Sequence, residues 1–195
     1  MPIRHYLPIL ALFTLFGCFQ EPEYAVEPDV EFVSIRARTI NSVEDSVEIT
    51  ISFKDGDGDL GLNKGEGEAD ANNPDFEEFE VDENGEPILD ENGERTLNRF
   101  RNNFFLEVYR QVDGAYQLVE YPESQRFDGF FPRLSDSDKE KAIEGEISYT
   151  FIMLYDFTGS PLSRGDLVRF EVQIVDRNKN LSNVVETTPI IVGEN

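Results

Sequence analysis

The chain has no tryptophan, one cysteine and one histidine, and it sets 17 Lys and Arg against 40 Asp and Glu. The single cysteine, Cys18, excludes a disulfide within the chain. The sole histidine, His5, falls in an N-terminal segment expected to be removed. Without it there is no Ser-His-Asp or Cys-His catalytic set and no Cys/His zinc site. An enzyme built from what remains would have to work through Asp, Glu, Tyr, Lys or Arg. The shortage of positive charge leaves a formal net charge of −23. That balance excludes a nucleic-acid partner, because phosphates need Lys and Arg to neutralise them. It also gives no attraction to anionic lipid. It suits a cation-rich aqueous exterior, or simply a surface kept soluble by its acidity.

The N-terminus reads as a targeting segment. Arg4 supplies a positive start, and residues 6–16 form an apolar run too short to cross a bilayer as a mature helix. The run ends in Leu15-Phe16-Gly17-Cys18, which resembles the lipobox of bacterial lipoproteins, with Leu15, Gly17 and Cys18 as the matching positions. The resemblance implies cleavage after Gly17, acylation of Cys18, and a lipid-anchored protein of the cell envelope at the outer membrane. The alternative is an ordinary secretory signal followed by an unrelated cysteine. Residues 18–29, rich in Pro and Glu, read as a tether. Within it, Gln20-Glu21 resembles the acidic signal that follows the cysteine in surface-exported lipoproteins of the Bacteroidota.

From Val30 the pattern is that of β-strands, and residues 30–195 are expected to form one domain. Residues 30–36 read as a first strand. In residues 47–54, Val47, Ile49, Ile51 and Phe53 alternate with Glu48, Thr50, Ser52 and Lys54, the period-2 pattern of a sheet with one buried face. Asp113-Gly114 between two strand-like runs signals a tight hairpin. Residues 127–134 read as an edge strand or loop, 135–143 as a short helical turn, and 147–155, 167–175 and 183–192 as further strands. The stretch 63–100 stands apart: residues 65–94 carry thirteen acids and no Lys or Arg. It is expected to be a flexible acidic insertion with at most a marginal hairpin, despite the near-repeat of Asp-Glu-Asn-Gly-Glu at 82–86 and 90–94.

Immediately after the alternating strand comes Asp55-Gly56-Asp57-Gly58-Asp59-Leu60-Gly61. Three carboxylates on alternate residues repel one another unless a cation neutralises them, and oxygen donors of this kind suit Ca²⁺. Asp55, Asp57 and Asp59 occupy the first, third and fifth places of an EF-hand loop, with Glu66 at the twelfth, but Leu60 stands where that loop needs glycine and no helix flanks it. What remains is a strand-borne calcium loop, or a Gly-rich turn whose aspartates merely solvate it. A second loop with Asp176, Asn178 and Asn180 follows the strand at 167–175. In a sandwich it would lie at the same end and could complete the shell; the alternative is a turn held by Asx hydrogen bonds.

The series of short strands without a long helix reads as an all-β, antiparallel β-sandwich. Residues 166–183 resemble the last two strands of bacterial immunoglobulin-like domains, and together with the lipobox and DGDGDLG they resemble the small immunoglobulin-like lipoproteins of Bacteroidota. The implied function is non-enzymatic: an anchored binding or structural protein stabilised by calcium at the end of the sandwich far from its anchor, with its protein or glycan partner open. The alternative is a carboxylate-dependent glycan hydrolase or glycan-binding accessory protein. For glycan binding, Phe127, Phe130, Phe131, Tyr109, Tyr116 and Tyr121 are candidate platform residues, but core packing is the favoured reading, because tryptophan, the residue with the largest stacking face, is missing.

Overall fold

The computed structural model describes residues 22–65, 70, 73–122, 125–135 and 139–194. The targeting segment, Cys18 and Glu66 therefore lie outside the described residues. Among the described residues eight strands are present: β1 (Asp29–Asn41), β2 (Glu44–Asp55), β3 (Phe104–Val112), β4 (Ala115–Leu118), β5 (Ile143–Leu154), β6 (Leu167–Ile174), β7 (Val185–Glu186) and β8 (Ile190–Ile191). They form two antiparallel sheets packed face to face. One has the order β1-β2-β5, and the other β4-β3-β6-β7, with β8 also on β6. The first, second and fifth strands thus oppose the third and sixth, the immunoglobulin-like arrangement, with β4 paired to β3 rather than to the first sheet.

The strand patterns explain the core. Val47, Ile49 and Ile51 of β2 are fully buried, and Val168, Phe170, Val172 and Ile174 of β6 face them from the other sheet. Truncating one of these isoleucines to Ala costs roughly 2–5 kcal/mol. Phe151 bridges the layers edge-on to Phe170, with ring centroids 5.5 Å apart. Asp113 and Gly114 adopt φ of 51° and 82°, the left-handed pair that a two-residue hairpin between β3 and β4 requires.

Several expectations shift. β5 begins at Ile143, so the expected helical turn over 135–143 gives way in its last residue to strand; residues 136–138 lie outside the described residues, and 139–142 are not helical. Residues 127–134 run as a loop with one β-bridge to the sheet, Phe104 to Gly129. The final strand is split into β7 and β8. Between them Thr187 turns both its backbone N–H and its hydroxyl oxygen to Phe170, and Pro189 has no N–H with which to continue a ladder.

The acidic insertion holds more structure than one marginal hairpin. Three short legs pair with one another, through the bridges Phe79–Leu97, Val81–Pro87 and Leu89–Arg95. Each Asp-Glu-Asn-Gly-Glu unit is a turn closed on its own aspartate. Asp82 Oδ1 accepts from the N–H of Asn84 and Glu86, and Asp90 Oδ1 accepts from those of Asn92 and Glu94, all at 2.8–2.9 Å. These amides hold both carboxyls below their ordinary pKa. The stretch leading into the legs is tied to the sandwich: Asp70, 4% exposed, takes a two-point ion pair from Arg133, and Phe76 is buried.

Candidate metal centre

The inward-facing row of β2 is Asp45, Val47, Ile49, Ile51, Phe53 and Asp55, so the alternation that builds the core carries Asp55 into the interior at the strand's end. Beyond it the chain folds back through Gly56-Asp57-Gly58-Asp59, and glycine is needed there for space. A Cβ on Gly56 would strike the carbonyls of Tyr24 and Ala25, and one on Gly58, at φ 75°, would strike the carbonyl of Lys141. Leu60, fully buried, then bridges to Asp176 at the end of β6, which brings the second loop against the first.

The four carboxylates of Asp55, Asp57, Asp59 and Asp176 each place an oxygen within 4.8 Å of the others. Asp55 is 0% exposed and Asp176 2%. One oxygen each of Asp55, Asp57 and Asp59 is buried with no hydrogen-bond partner. The remaining oxygens are held in place. Asp59 N–H donates to Asp55 Oδ2 at 3.1 Å, Asn178 N–H to Asp59 Oδ2 at 3.1 Å, and Asn180 N–H to Asp176 Oδ1 at 2.7 Å. Asn178 and Asn180 lie beside the cluster with their side-chain amide nitrogens on Asp57 and Asp176, so in this geometry they orient carboxylates.

The electrostatics follow from the crowding. Burial, then Asp57 and Asp176, push the Asp55 carboxyl up to about 6. Burial and the three neighbouring aspartates push Asp59 up to about 7, against a lowering by Arg177. Asp176 is also raised, chiefly by burial. Arg177 itself donates to the carbonyls of Leu60 and Gly61. The result is a pocket of inward-turned, mutually repelling oxygens, a donor set that could hold a metal ion.

The site lies at the end of the sandwich where the chain enters β1, since Asp29 pairs with Lys54 beside Asp55. This corrects the expectation of an ion at the end far from the anchor: a tether running into β1 arrives next to these loops. Tyr24, in that tether, donates its hydroxyl to Glu144 at 2.7 Å.

The six aromatic candidates do not form one platform. Phe131 is buried, and Phe127 packs between Tyr121 and Phe151 at the core's margin. Tyr109 and Tyr116 stack on Arg169, and Phe130 is exposed beside Lys64. Sequence reasoning missed Asp45, whose inward position the same alternation shows once β2 is extended to residue 44. It also missed the pairing of Asp70 with Arg133, which has no local signal.

Fold and cluster together define an antiparallel β-sandwich with four aspartates gathered between its loops that could hold a metal ion. No family model matches this chain, and neither a curated protein nor a solved structure matches it.

Proposed function

We propose that the protein is a lipid-anchored, non-enzymatic binding or structural protein of the cell envelope, at the outer membrane, whose sandwich is stabilised by one calcium ion held by Asp55, Asp57, Asp59 and Asp176. The calcium part is carried by the buried, unpartnered oxygens of Asp55, Asp57 and Asp59 pointing into one centre. Hard oxygen ligands with up to four negative charges favour Ca²⁺ over softer transition metals. The anchor part rests on Leu15-Phe16-Gly17-Cys18, and mass spectrometry finding Cys18 unmodified in a soluble fraction would contradict it.

The hydrolase alternative, which needs two acids facing each other across an open cleft, draws no support from this cluster. Its carboxylates sit in the seam between two loops and line none of the described surface grooves. Calorimetric titration tests the reading: calcium binds one per chain, magnesium far more weakly because it demands a tighter octahedral shell, and Asp57→Asn weakens calcium at least tenfold. Absence of calcium binding up to 10 mM, roughly tenfold above the weakest extracellular calcium modules, would remove the calcium part.

A further inference from the structure

For a chain so acidic, one place is unexpectedly cationic. Arg99 and Arg101 sit on the 3₁₀ turn that leads from the acidic insertion into β3, and Arg126 lies on the loop across from them. The three guanidinium groups line a cleft of about 210 Å³ together with Asn102, Glu107 and Asp128. A smaller groove, of about 90 Å³, is lined by Arg99, Phe105 and Gln173 beside it.

The acids of the cleft are already engaged. Asp128 takes Arg126 at 2.8 Å and the N–H of Leu106 at 2.8 Å, and Glu107 takes the hydroxyl of Tyr109 at 3.3 Å. Arg99 and Arg101 are not: among the described residues neither forms an ion pair, and Arg101 Nη1 is buried with no acceptor at all. Arg99 is held flat over the Phe105 ring, 4.5 Å from its centroid, with only a 3.5 Å contact to Gln173. Lys64 crowds Arg101 further by donating to its carbonyl, and burial first, then Arg101, hold the Lys64 ammonium below its ordinary pKa. Two guanidinium groups without a carboxylate partner beside a cleft leave strong, forked donors for a ligand oxygen.

We propose that this cleft binds a small polyhydroxylated monocarboxylate, a sugar acid of the uronate type, with its carboxylate on Arg99 and Arg101. The carboxylate matches the fork of a guanidinium in two parallel hydrogen bonds. The acids of the cleft keep free lone pairs, and these accept hydroxyl donors, of which a sugar acid brings several, hydrogen phosphate one and sulfate none. Glu107 and Asp128 repel a doubly charged ion more strongly than a singly charged one. The volume is below the roughly 300–1,000 Å³ of sites for drug-sized ligands, so the occupant is a single sugar unit or the end of a chain. The net charge of the whole protein opposes polyanions, but its reach is cut to about 8 Å at physiological ionic strength, which leaves the local guanidinium field to decide.

The test is an NMR titration of the calcium-loaded protein with sodium glucuronate, glucose, sodium sulfate and sodium phosphate at constant ionic strength. Saturable shifts confined to residues 99–107 and 126–128 are expected with glucuronate, at least tenfold tighter than with glucose, sulfate or phosphate. Arg101→Gln and Arg99→Gln each weaken glucuronate at least tenfold, while Arg36→Gln on the other sheet leaves it unchanged. Melting curves check that the variants fold, and exposed Arg99 serves if the Arg101 variant does not. No saturable glucuronate binding overturns the proposal. So does glucose or phosphate binding as tightly as glucuronate, or a folded Arg99→Gln with undiminished affinity.

Discussion

β2 carries a fully buried aspartate at each end, Asp45 and Asp55, about 33 Å apart on the same inward face at roughly 3.3 Å per residue. The chain treats them in opposite ways. Asp45 is satisfied from within: Oδ2 accepts the N–H of Gly193 at 2.8 Å and Oδ1 the hydroxyl of Tyr155 at 3.3 Å. Arg164 closes that end, stacked near Tyr155 and donating to the carbonyls of Ser42 and Gly193. Asp55 instead meets three more carboxylates and keeps an oxygen unpartnered. One end of the sandwich is sealed by the protein's own donors and cation; the other gathers four carboxylates that could hold a cation from outside. Buried carboxylates are costly unless paired, and the contrast shows which pairing the sequence itself provides.

The largest effect should come from breaking the sealed end. Asp45→Ala leaves the Gly193 N–H without its acceptor and weakens the hold on Tyr155, a loss of about 2–4 kcal/mol, or roughly 5–15 °C in melting temperature for a domain of this size. The drop should be the same in EDTA and in calcium, and a drop that calcium repairs would dissolve the distinction between the ends.

Next comes removal of charge at the open end. Asp55→Asn keeps the acceptor for the Asp59 N–H but relieves the like-charge crowding. At pH 8 in EDTA it should melt a few degrees above the unmodified protein, on the order of 1 kcal/mol, and it should no longer respond to calcium. Asp176→Asn should reduce the response by the same route.

The pH dependence sharpens the comparison further. The folded-state carboxyls of Asp55 and Asp59 lie at about 6 and about 7, above the ordinary aspartate value of 3.8. The calcium-free folded chain therefore holds protons that the unfolded chain has released. Its stability falls as pH rises from about 4 to about 7, and by pH 8 the loss is complete. Asp70, which Arg133 holds below the ordinary value, acts in the opposite sense and only below pH 4. Melting in EDTA should thus decline between pH 5 and pH 8, whereas in saturating calcium the decline should vanish, because the ion replaces the protons. Parallel curves would contradict the assignment.

The smallest effect belongs to the insertion. Replacing residues 80–96 by an Asn-Gly turn joins Phe79 directly to its bridge partner Leu97. The excised legs are mostly exposed, so melting should move by less than about 1 kcal/mol. Differential scanning calorimetry checks this. The excision must spare Asp70, which is paired with Arg133, and Phe76, which is buried, and so the dispensable part is shorter than composition suggests.

Much of this was legible in the residues. Period-2 alternation placed β2 and β6, Asp113-Gly114 placed the β3–β4 hairpin, and the two Asp-rich loops could be set at one end once those strands were assigned. Other features depend on tertiary placement. Arg133 stabilises Asp70 from 63 positions away, and Arg126 joins Arg99 and Arg101 only because the loop after β4 folds back across β3. The pairing inside the acidic insertion is set by turn chemistry rather than by its charge: Asp82 and Asp90 each spend one oxygen closing an Asx turn, and the two turns let the three legs pair.

The central claim is that the open end of the sandwich is completed by calcium. Its most direct test is the melting temperature at pH 8 in EDTA and in 1 mM calcium, with Asp55→Asn alongside. With a Kd on the order of 10⁻⁴–10⁻³ M, the linkage gain is about 0.4–1.4 kcal/mol, so melting should rise by roughly 1–5 °C in the unmodified protein and not at all in Asp55→Asn. Identical melting of the unmodified protein in EDTA and calcium would mean that the four aspartates only shape a turn.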